Sequence, residues 1–274
     1  MGLRNWLYAT TGINLKKINL PDNFIEIASK KRSLDNAGEI EVLAIGSSHG
    51  AHSFNSSIID KSFNLCTTSQ DLYYSNQLYD YVINKQNKIK TVIVYFSVFS
   101  NGYDVSKTSS KDICAFFKKV FNINYQNENR EIEQIYKKYK RINIKSLDLK
   151  ESINGFIEAS TFIKDGDIKS RASKHLREAG RKPEQLKHLV SLIRKCKKNS
   201  HDLLIIIPPS RADYKIHIEP NIFNNIKEIA KKYNLKIIDL FASEIFDYDD
   251  FGDSDHTNIK GAIKLTEVIR NKIF

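Results

Sequence analysis

Five short apolar runs separated by amphipathic helical segments constrain the fold of this 274-residue chain more than any other feature. The runs are continuous rather than alternating, which is typical of strands buried on both faces of a parallel sheet. They lie at residues 41–46, 63–66, 91–99, 202–209 and 235–240. Helical periodicity covers 75–85, 184–198 and 222–233, and a last helix begins near Ile259 with Asn258 as its N-cap. The pattern predicts an α/β protein with a mostly parallel five-stranded sheet covered by helices on both faces.

The connection between the third and fourth runs is unusually long. It extends from Ser100 to His201, whereas a simple crossover needs roughly 30 to 40 residues. Helical patterns at 113–121, 131–140 and 168–178 predict a helical insertion at the carboxyl end of the sheet. We therefore expect an N-terminal segment (1–37), an α/β core (38–104 and 200–274) and an inserted lid (105–199).

The positive charge of the chain is concentrated in this insertion. The formal net charge is +11, and residues 105–200 hold 23 Lys/Arg against 11 Asp/Glu, while the flanks hold 20 against 21. A basic insertion suits an anionic ligand, such as an acidic glycan or the phosphates of coenzyme A, but it is equally typical of solvated helices.

Cysteine usage and hydropathy exclude several classes of protein. Cys66, Cys114 and Cys196 form no Cys-x-x-Cys pair, so neither a disulfide scaffold nor a zinc cluster is indicated, and a cytoplasmic location is expected. No apolar run reaches the roughly 18 residues of a membrane span. The segment around Trp6 lacks the apolar core of a signal peptide, and we expect it to pack on the body or a second subunit, or to contact a membrane surface weakly.

Two polar motifs fall where an open α/β sheet binds its ligands, at the carboxyl ends of strands. Gly46-Ser47-Ser48-His49-Gly50 follows the first predicted strand, and Asp253-Ser254-Asp255-His256-Thr257-Asn258 precedes the last helix. A serine on such a turn can act as a nucleophile, with a histidine as general base and an aspartate that orients the imidazole. We therefore predict Ser48, His256 and Asp253 as catalytic residues. Each motif alone is also compatible with a plain turn, a phosphate-binding loop or a helix cap.

Together the motifs resemble those of the SGNH, or GDSL-type, hydrolase superfamily. In that family the nucleophilic serine follows the first strand in a Gly-Asp-Ser-like block, and an Asp-x-x-His block lies close to the C-terminus. Gly46-Ser47-Ser48 is similar to the first block with serine in place of aspartate, and Asp253-x-x-His256 is similar to the last. The resemblance covers residues 38–104 and 200–274 and implies a three-layer flavodoxin-like fold. The Gly-Ser-Ser variant is similar to branches that add or remove acyl groups on bacterial polysaccharides.

The resemblance also implies oxyanion donors and substrate-binding residues, although the two middle blocks of the family are poorly matched. An amide near Cys66 stands where the family has a glycine, and Ser97, in preference to Asn101, stands where it has an asparagine. The predicted set is Gly46, Cys66, Ser97, His49, Asn101 and Arg211, of which Arg211 is a candidate anion ligand. The scattered histidines show no ligand spacing, so no metal site is expected.

Three classes of function remain open, of which the first, acyl transfer, includes both a transferase and an esterase. The favoured one, implied by the resemblance, is an O-acetyltransferase of a bacterial capsular or surface polysaccharide, acting at the inner face of the membrane with acetyl-CoA as donor and no permanently bound cofactor. A carbohydrate O-acetyl esterase needs the same residues with water as acceptor. A non-catalytic glycan-binding protein of the same fold is the second function. Nucleic-acid binding is the third; Tyr125, Tyr136 and Tyr139 alternate with lysines, but no RNA-binding or zinc-finger motif is present, so we do not expect it.

Overall fold

Five parallel strands form the centre of the molecule. The computed structural model describes residues 20–86, 88–159, 162, 166–180 and 182–273. The strands are β1 (Val42–Ile45), β2 (Ser62–Asn64), β3 (Thr91–Tyr95), β4 (Asp202–Ile207) and β5 (Lys236–Asp239). The α-helices are α1 (Asp22–Asn36), α2 (Ser48–Ser53), α3 (Leu72–Ile83), α4 (Asp112–Phe121), α5 (Arg130–Tyr139), α6 (Ile168–Ala179), α7 (Leu186–Lys198), α8 (Ala212–Lys215), α9 (Asn224–Tyr233) and α10 (Ile259–Ile273). The segment around Trp6 lies outside the described residues.

The strand order is β2-β1-β3-β4-β5, and every neighbouring pair is parallel. This is the order of flavodoxin-like sheets, which change direction between β1 and β3. The predicted five-stranded parallel sheet is confirmed. The strands end earlier than the apolar runs do; the run 91–99 leaves the sheet after Tyr95 and turns, with the Ser100 amide donating to the Ser97 carbonyl (3.0 Å). That turn is itself buried, so hydropathy does not mark where the strand stops.

Alternation along the strands divides the interior into two cores. Leu43 and Val92 face the larger core, which is covered by α1, α3, α4, α7 and α9. Ala44 and Ile93 face the smaller core, which is covered by α2 and α10. The sheet is thus the middle of three layers, as predicted, and the thin layer is built from the two helices that adjoin the Gly-Ser-Ser and Asp-x-x-His motifs.

The long connection between β3 and β4 carries the predicted helical insertion. Its helices α4, α5, α6 and α7 do more than cover a site, because α4 and α7 bury apolar side chains in the larger core. Phe116 of α4 packs edge-to-face on Phe24 of α1 with ring centroids 5.2 Å apart. The division of the chain at 37, 104 and 199 stays a prediction. No helix among the described residues is both long and apolar enough to cross a bilayer.

Helix α1 falls in the segment that sequence patterning left without secondary structure. Its apolar residues, among them Phe24 and Ile27, are followed by Ser29 and Lys30, which are also buried. Two polar residues in the buried stripe weaken the helical periodicity by which an amphipathic helix is identified.

Residues 149–156 of the insertion dock beside the edge strand β2. The Asn64 amide donates to the Asn154 carbonyl (2.9 Å), and the buried Lys30 ammonium donates to the carbonyls of Gly155 (2.6 Å) and Asn64 (3.3 Å). Gly155 has φ +82°, and a Cβ there would lie 2.2 Å from the Asn64 carbonyl oxygen. These contacts fix the middle of the insertion at the carboxyl edge of the sheet.

Replacing Gly155 with alanine should therefore destabilise the protein. Both the left-handed backbone and the clash oppose a side chain, and we expect the free energy of unfolding to fall by about 2 kcal/mol or more. Urea denaturation measures this change. Gly38→Ala is the matched control, because nothing lies within 4 Å of its added Cβ. Equal midpoints for Gly155→Ala and wild type would contradict the docking of residues 149–156 beside β2.

Candidate active site

The turn after β1 presents Ser48 at the carboxyl edge of the sheet. Gly46 has φ +145°, and a Cβ there would lie 2.8 Å from Cβ of Tyr95 on the neighbouring strand, so glycine is required by both conformation and space. Ser47 is extended, and Ser48 is the first residue of α2. The short turn thus takes the chain directly from a buried strand into a helix that lies on the smaller core.

The loop before α10 is folded around the Asp253 carboxylate. Its Oδ1 accepts hydrogen bonds from the amides of Asp255 (3.1 Å) and His256 (2.8 Å). Asn258 accepts from the Gly261 amide (3.1 Å) and caps α10 as predicted. Hydrogen bonds between its own side chains and backbone amides therefore hold the loop, in addition to its contacts with the rest of the site.

Hydroxyl contacts hold the two motifs against each other. Ser53 at the end of α2 contacts the Thr257 hydroxyl (3.0 Å), and Thr266 of α10 donates to the Ser53 carbonyl (3.1 Å). These groups are buried, so the hydrogen bonds also satisfy polar atoms that would otherwise be costly to desolvate.

The predicted catalytic residues form a continuous hydrogen-bonded chain. His256 Nε2 lies 2.8 Å from Ser48 Oγ, and His256 Nδ1 lies 2.9 Å from Asp253 Oδ2. With the proton on Nδ1 donated to the carboxylate, Nε2 is free to accept the proton of the serine hydroxyl. This is the geometry that a nucleophile, a general base and an orienting acid require.

A second carboxylate lies behind this chain and was not predicted as a site residue. Asp255 is 1% exposed, and its Oδ2 lies 3.2 Å from Nε2 of His49. Its Oδ1 lies 2.5 Å from Nη2 of Arg171, which the insertion supplies from α6. The same guanidinium nitrogen is 3.3 Å from Asp253 and 3.1 Å from His256 Nδ1. No motif surrounds Arg171, and 82 residues separate it from Asp253, so the sequence carried no signal for it.

The electrostatics of the site single out one histidine. Burial acts to lower the pKa of His256, but the neighbouring charges of Asp255 and Asp253 outweigh it, so the pKa lies above its ordinary value. Burial lowers the pKa of His52 and of His175 to about 3, and it also lowers that of His49. These three rings are therefore neutral near pH 7, and His256 is the ring whose charge is sensitive to pH.

Ionic contacts keep both carboxylates charged. Burial acts to raise the pKa of Asp253, but the hydrogen bond from His256 outweighs it, and the pKa lies below its ordinary range. Burial opposes ionisation of Asp255 as well, and the charge of His256 and the hydrogen bond from His49 hold its pKa well below normal.

Ser48 and His256 open into a cleft of about 760 Å³. The insertion forms one wall of it with Ile157, Phe162 and Arg171, and α1 forms the other. Of the described lining residues, five are acidic and three basic, namely Asp22, Glu26, Glu151, Glu158 and Asp253 against Lys30, Lys150 and Arg171. The described insertion residues in this lining, Lys150 and Arg171 against Glu151 and Glu158, therefore bring no net positive charge to the cleft.

The predicted oxyanion donors are bonded elsewhere. The Cys66 amide donates to Asn64 Oδ1 (3.0 Å), and the Ser97 amide donates to Ser100 Oγ (2.8 Å), while the Ser97 hydroxyl contacts Ser47 (3.2 Å). Neither geometry leaves a donor directed at Ser48, in contrast to the prediction. The reason is local: each amide is bonded to a side chain two or three residues away in its own turn.

The other predicted substrate ligands also lie outside the described cleft lining. Arg211 forms a bidentate ion pair with Asp213 (2.8 and 3.0 Å) and stacks on Tyr248, so it is not presented to an anion as predicted. His49 is buried against Asp255, and Asn101 is buried with no hydrogen-bond partner for its Oδ1 among the described residues. Instead, His52 and Thr68 line the cleft beside Ser48; neither was predicted to do so.

One group of side chains has the composition of a metal site. The candidate ligand atoms of His49, Asp255 and His256 lie within 4.8 Å of one another. Both ring nitrogens of His256 are engaged by Ser48 and Asp253, and the Arg171 guanidinium already contacts Asp255. Because a permanent cation stands at the carboxylate, we assign no metal to this group.

Comparisons with known proteins find similarity at the level of the fold. No protein-family model matches the sequence, and no curated protein is found as a relative. Among solved structures, the chain is similar to a GDSL-like lipase from Bacteroides thetaiotaomicron, with 9% identity over 90% of this chain and 98% of that one and a TM-score of 0.45. It is also similar to a candidate acylhydrolase from Bacteroides fragilis, with 11% identity over 92% and 98% of the two chains and a TM-score of 0.48. The structure itself shows a three-layer α/β fold that brings Ser48, His256 and Asp253 into one hydrogen-bonded chain.

Proposed function

We propose that this protein is an enzyme that hydrolyses or transfers acyl groups through Ser48. The observation that carries the proposal is the hydrogen-bonded chain from Ser48 through His256 to Asp253, with the serine at the wall of an open cleft. In this mechanism His256 removes the hydroxyl proton as Ser48 attacks an ester or thioester carbonyl. Asp253 holds the imidazole in the required tautomer and stabilises the imidazolium that forms.

The developing oxyanion needs hydrogen-bond donors that do not come from Cys66 or Ser97. We assign this role to the Ser48 amide, because it lies in the first turn of α2, where the first described intrahelical bond is the one from Gly50 to Ser47 (2.9 Å). Collapse of the intermediate expels an alcohol or thiol, which takes its proton from His256. Water or a second hydroxyl then removes the acyl group from Ser48.

The finer proposal is that the acyl group is carried by, or delivered to, a carbohydrate hydroxyl. The support is the resemblance of the Gly-Ser-Ser and Asp-x-x-His motifs to polysaccharide-modifying branches, together with a cleft whose wall combines Ile157 and Phe162 with acidic and basic groups. We further propose acetyl-CoA as donor for a capsular or surface polysaccharide, and a cytoplasmic location that suits three free, buried cysteines.

Ser48→Ala should abolish covalent labelling by a fluorophosphonate probe and lower ester hydrolysis by about a thousandfold or more, because the nucleophile is lost. Mass mapping of the labelled peptide and a p-nitrophenyl acetate assay measure these effects. Ser47→Ala is the matched control, since it removes the adjacent hydroxyl, and it should retain labelling at Ser48. If wild type is not labelled and Ser48→Ala is as active as wild type, a non-catalytic binding protein becomes the better interpretation.

The rate should fall on the acid side with a midpoint above pH 6.5. His256 acts as a base only when neutral, and its raised pKa means that protonation begins at a higher pH than for an ordinary histidine. A profile of kcat/KM between pH 5 and 9 measures the midpoint. A midpoint well below 6.5 would show that the carboxylates do not control His256.

Hydrolysis and transfer are distinguished by the fate of a labelled acetyl group. We expect that acetyl-CoA and a polysaccharide, incubated with the protein, yield acetylated polymer faster than free acetate, as followed by mass. Release of acetate alone from an acetylated glycan would identify an esterase and contradict the transferase.

The basic helix α5 provides a test of whether the acceptor is anionic. Lys137 and Lys138 on this helix and Lys140 directly after it are exposed and lie outside the described cleft lining. Replacing all three with glutamine should leave hydrolysis of a small ester unchanged and weaken, by about tenfold, the use of an acidic polymer whose chain extends beyond the cleft. Unchanged use of the acidic polymer would mean that the charge only solvates the helix.

Nucleic-acid binding finds less support in the structure, because Tyr139 stacks on Phe24 and Tyr125 donates a hydrogen bond to Glu133.

A further inference from the structure

The loop before α10 places two buried carboxylates beside one imidazole. Asp253 Oδ2 lies 2.9 Å and Asp255 Oδ1 lies 3.8 Å from His256 Nδ1, and both aspartates are less than 5% exposed. Two negative charges at these distances favour the imidazolium. A fully protonated His256 cannot act as a base for Ser48. The negative charge of the second carboxylate therefore has to be compensated within the site.

The insertion supplies the compensating charge. Nη2 of Arg171 lies 2.5 Å from Asp255 and 3.3 Å from Asp253, and the side chain is 25% exposed. A guanidinium remains protonated at every pH of interest and can only donate hydrogen bonds. With Arg171 present, the two carboxylates and one guanidinium leave the imidazole facing a net charge of −1, which is the charge of a single aspartate.

We propose that Arg171 is a positioning residue for the Ser48–His256–Asp253 chain: by neutralising Asp255 it keeps His256 available to accept the serine proton. The inference rests on the proposed acyl-transfer function. It assigns a role to the insertion, because α6 belongs to the segment between β3 and β4.

The charged and titratable groups that face His256 in the described part of the chain fit this assignment. From its own loop these are Asp253 and Asp255; α6 contributes Arg171 and His175; the turn and helix after β1 contribute His49 and His52. Lys30 of α1 faces His52, and the Tyr214 hydroxyl bonds to His175 (2.6 Å). Because burial keeps the three other imidazoles neutral, Arg171 is the cation that offsets Asp255 within the described site.

Asp255 in turn determines where Arg171 points. The guanidinium approaches within 3.1 Å of His256 Nδ1, the nitrogen that must carry a proton toward Asp253. If Asp255 were neutral, Arg171 would donate to Nδ1 and favour the tautomer with its proton on Nε2, which cannot accept from Ser48. The two residues are therefore expected to depend on each other.

The test is the pH profile of kcat/KM for a small ester, measured with the full chain. We expect Arg171→Gln to raise the acid midpoint by about one pH unit, so that activity at pH 6 falls about tenfold while the plateau near pH 9 stays within about threefold. Arg171→Lys should keep the wild-type midpoint. Asp255→Asn should lower the rate about tenfold at all pH values, and Arg171→Gln/Asp255→Asn should recover most of it. Lys174→Gln, which removes an exposed charge from the same helix, should match wild type.

A loss in Arg171→Gln that is equal at every pH, with an unmoved midpoint, would overturn the proposal and make Arg171 a merely structural residue. NMR titration of His256 in a Ser48→Ala background gives a readout that does not depend on activity. There, Arg171→Gln should raise the pH at which the ring protonates by about one unit. An unchanged titration overturns the role of Arg171, whereas absent labelling of Ser48 with a shifted titration overturns only the acyl-transfer function.

Discussion

Two carboxylates buried side by side in one loop are the constraint on which the rest of the site depends. Asp253 and Asp255 are separated by a single residue, and they are only 4% and 1% exposed. Unpaired, they would be among the most costly groups in the fold. Their compensation draws together elements that are distant in sequence, namely the loop itself, the turn after β1 and helix α6, and it thereby fixes the position of His256 relative to Ser48.

The sheet topology provides the frame for this compensation. In the order β2-β1-β3-β4-β5, β1 lies at the change of direction, and the helix that follows it shares the smaller core with α10. The hydroxyls of Ser53, Thr257 and Thr266 then lock the two helices together. Ser48 on the first turn and His256 on the last loop, 208 residues apart, meet because both segments lie on the same face of one sheet.

Much of this arrangement could be predicted because it is written in local patterns. Continuous apolar runs predicted the parallel strands. The motifs that adjoin β1 and α10 predicted Ser48, His256 and Asp253 as catalytic residues. Arg171 could not be found in this way, since only tertiary packing brings α6 to the loop. The amides of Cys66 and Ser97, which we expected to be oxyanion donors, are bonded within their own turns. Residue type suggested the role, but the hydrogen bonds of the surrounding turns determine which groups are available to bind an oxyanion.

The net charge of the chain differs in sign from the charge of the described cleft lining. The basic residues of the insertion make the protein positive as a whole, yet the described lining of the cleft carries more acidic than basic side chains. One of those basic residues, Arg171, is committed to the two aspartates, while others on α5 lie on an exposed surface. Net charge alone therefore says little about the group that enters the cleft, and the position of each charge must be considered separately.

The proposed acyl transfer requires that Ser48 carry the acyl group during turnover. The most direct measurement is to mix the protein with an activated acetyl ester, quench in acid within the first turnovers, and map acetylated peptides by mass spectrometry. We expect an acetyl group on Ser48 that disappears on continued incubation with water or an acceptor sugar. Turnover of the ester with no acetylated Ser48, or with the acetyl group stable on another side chain, would contradict it.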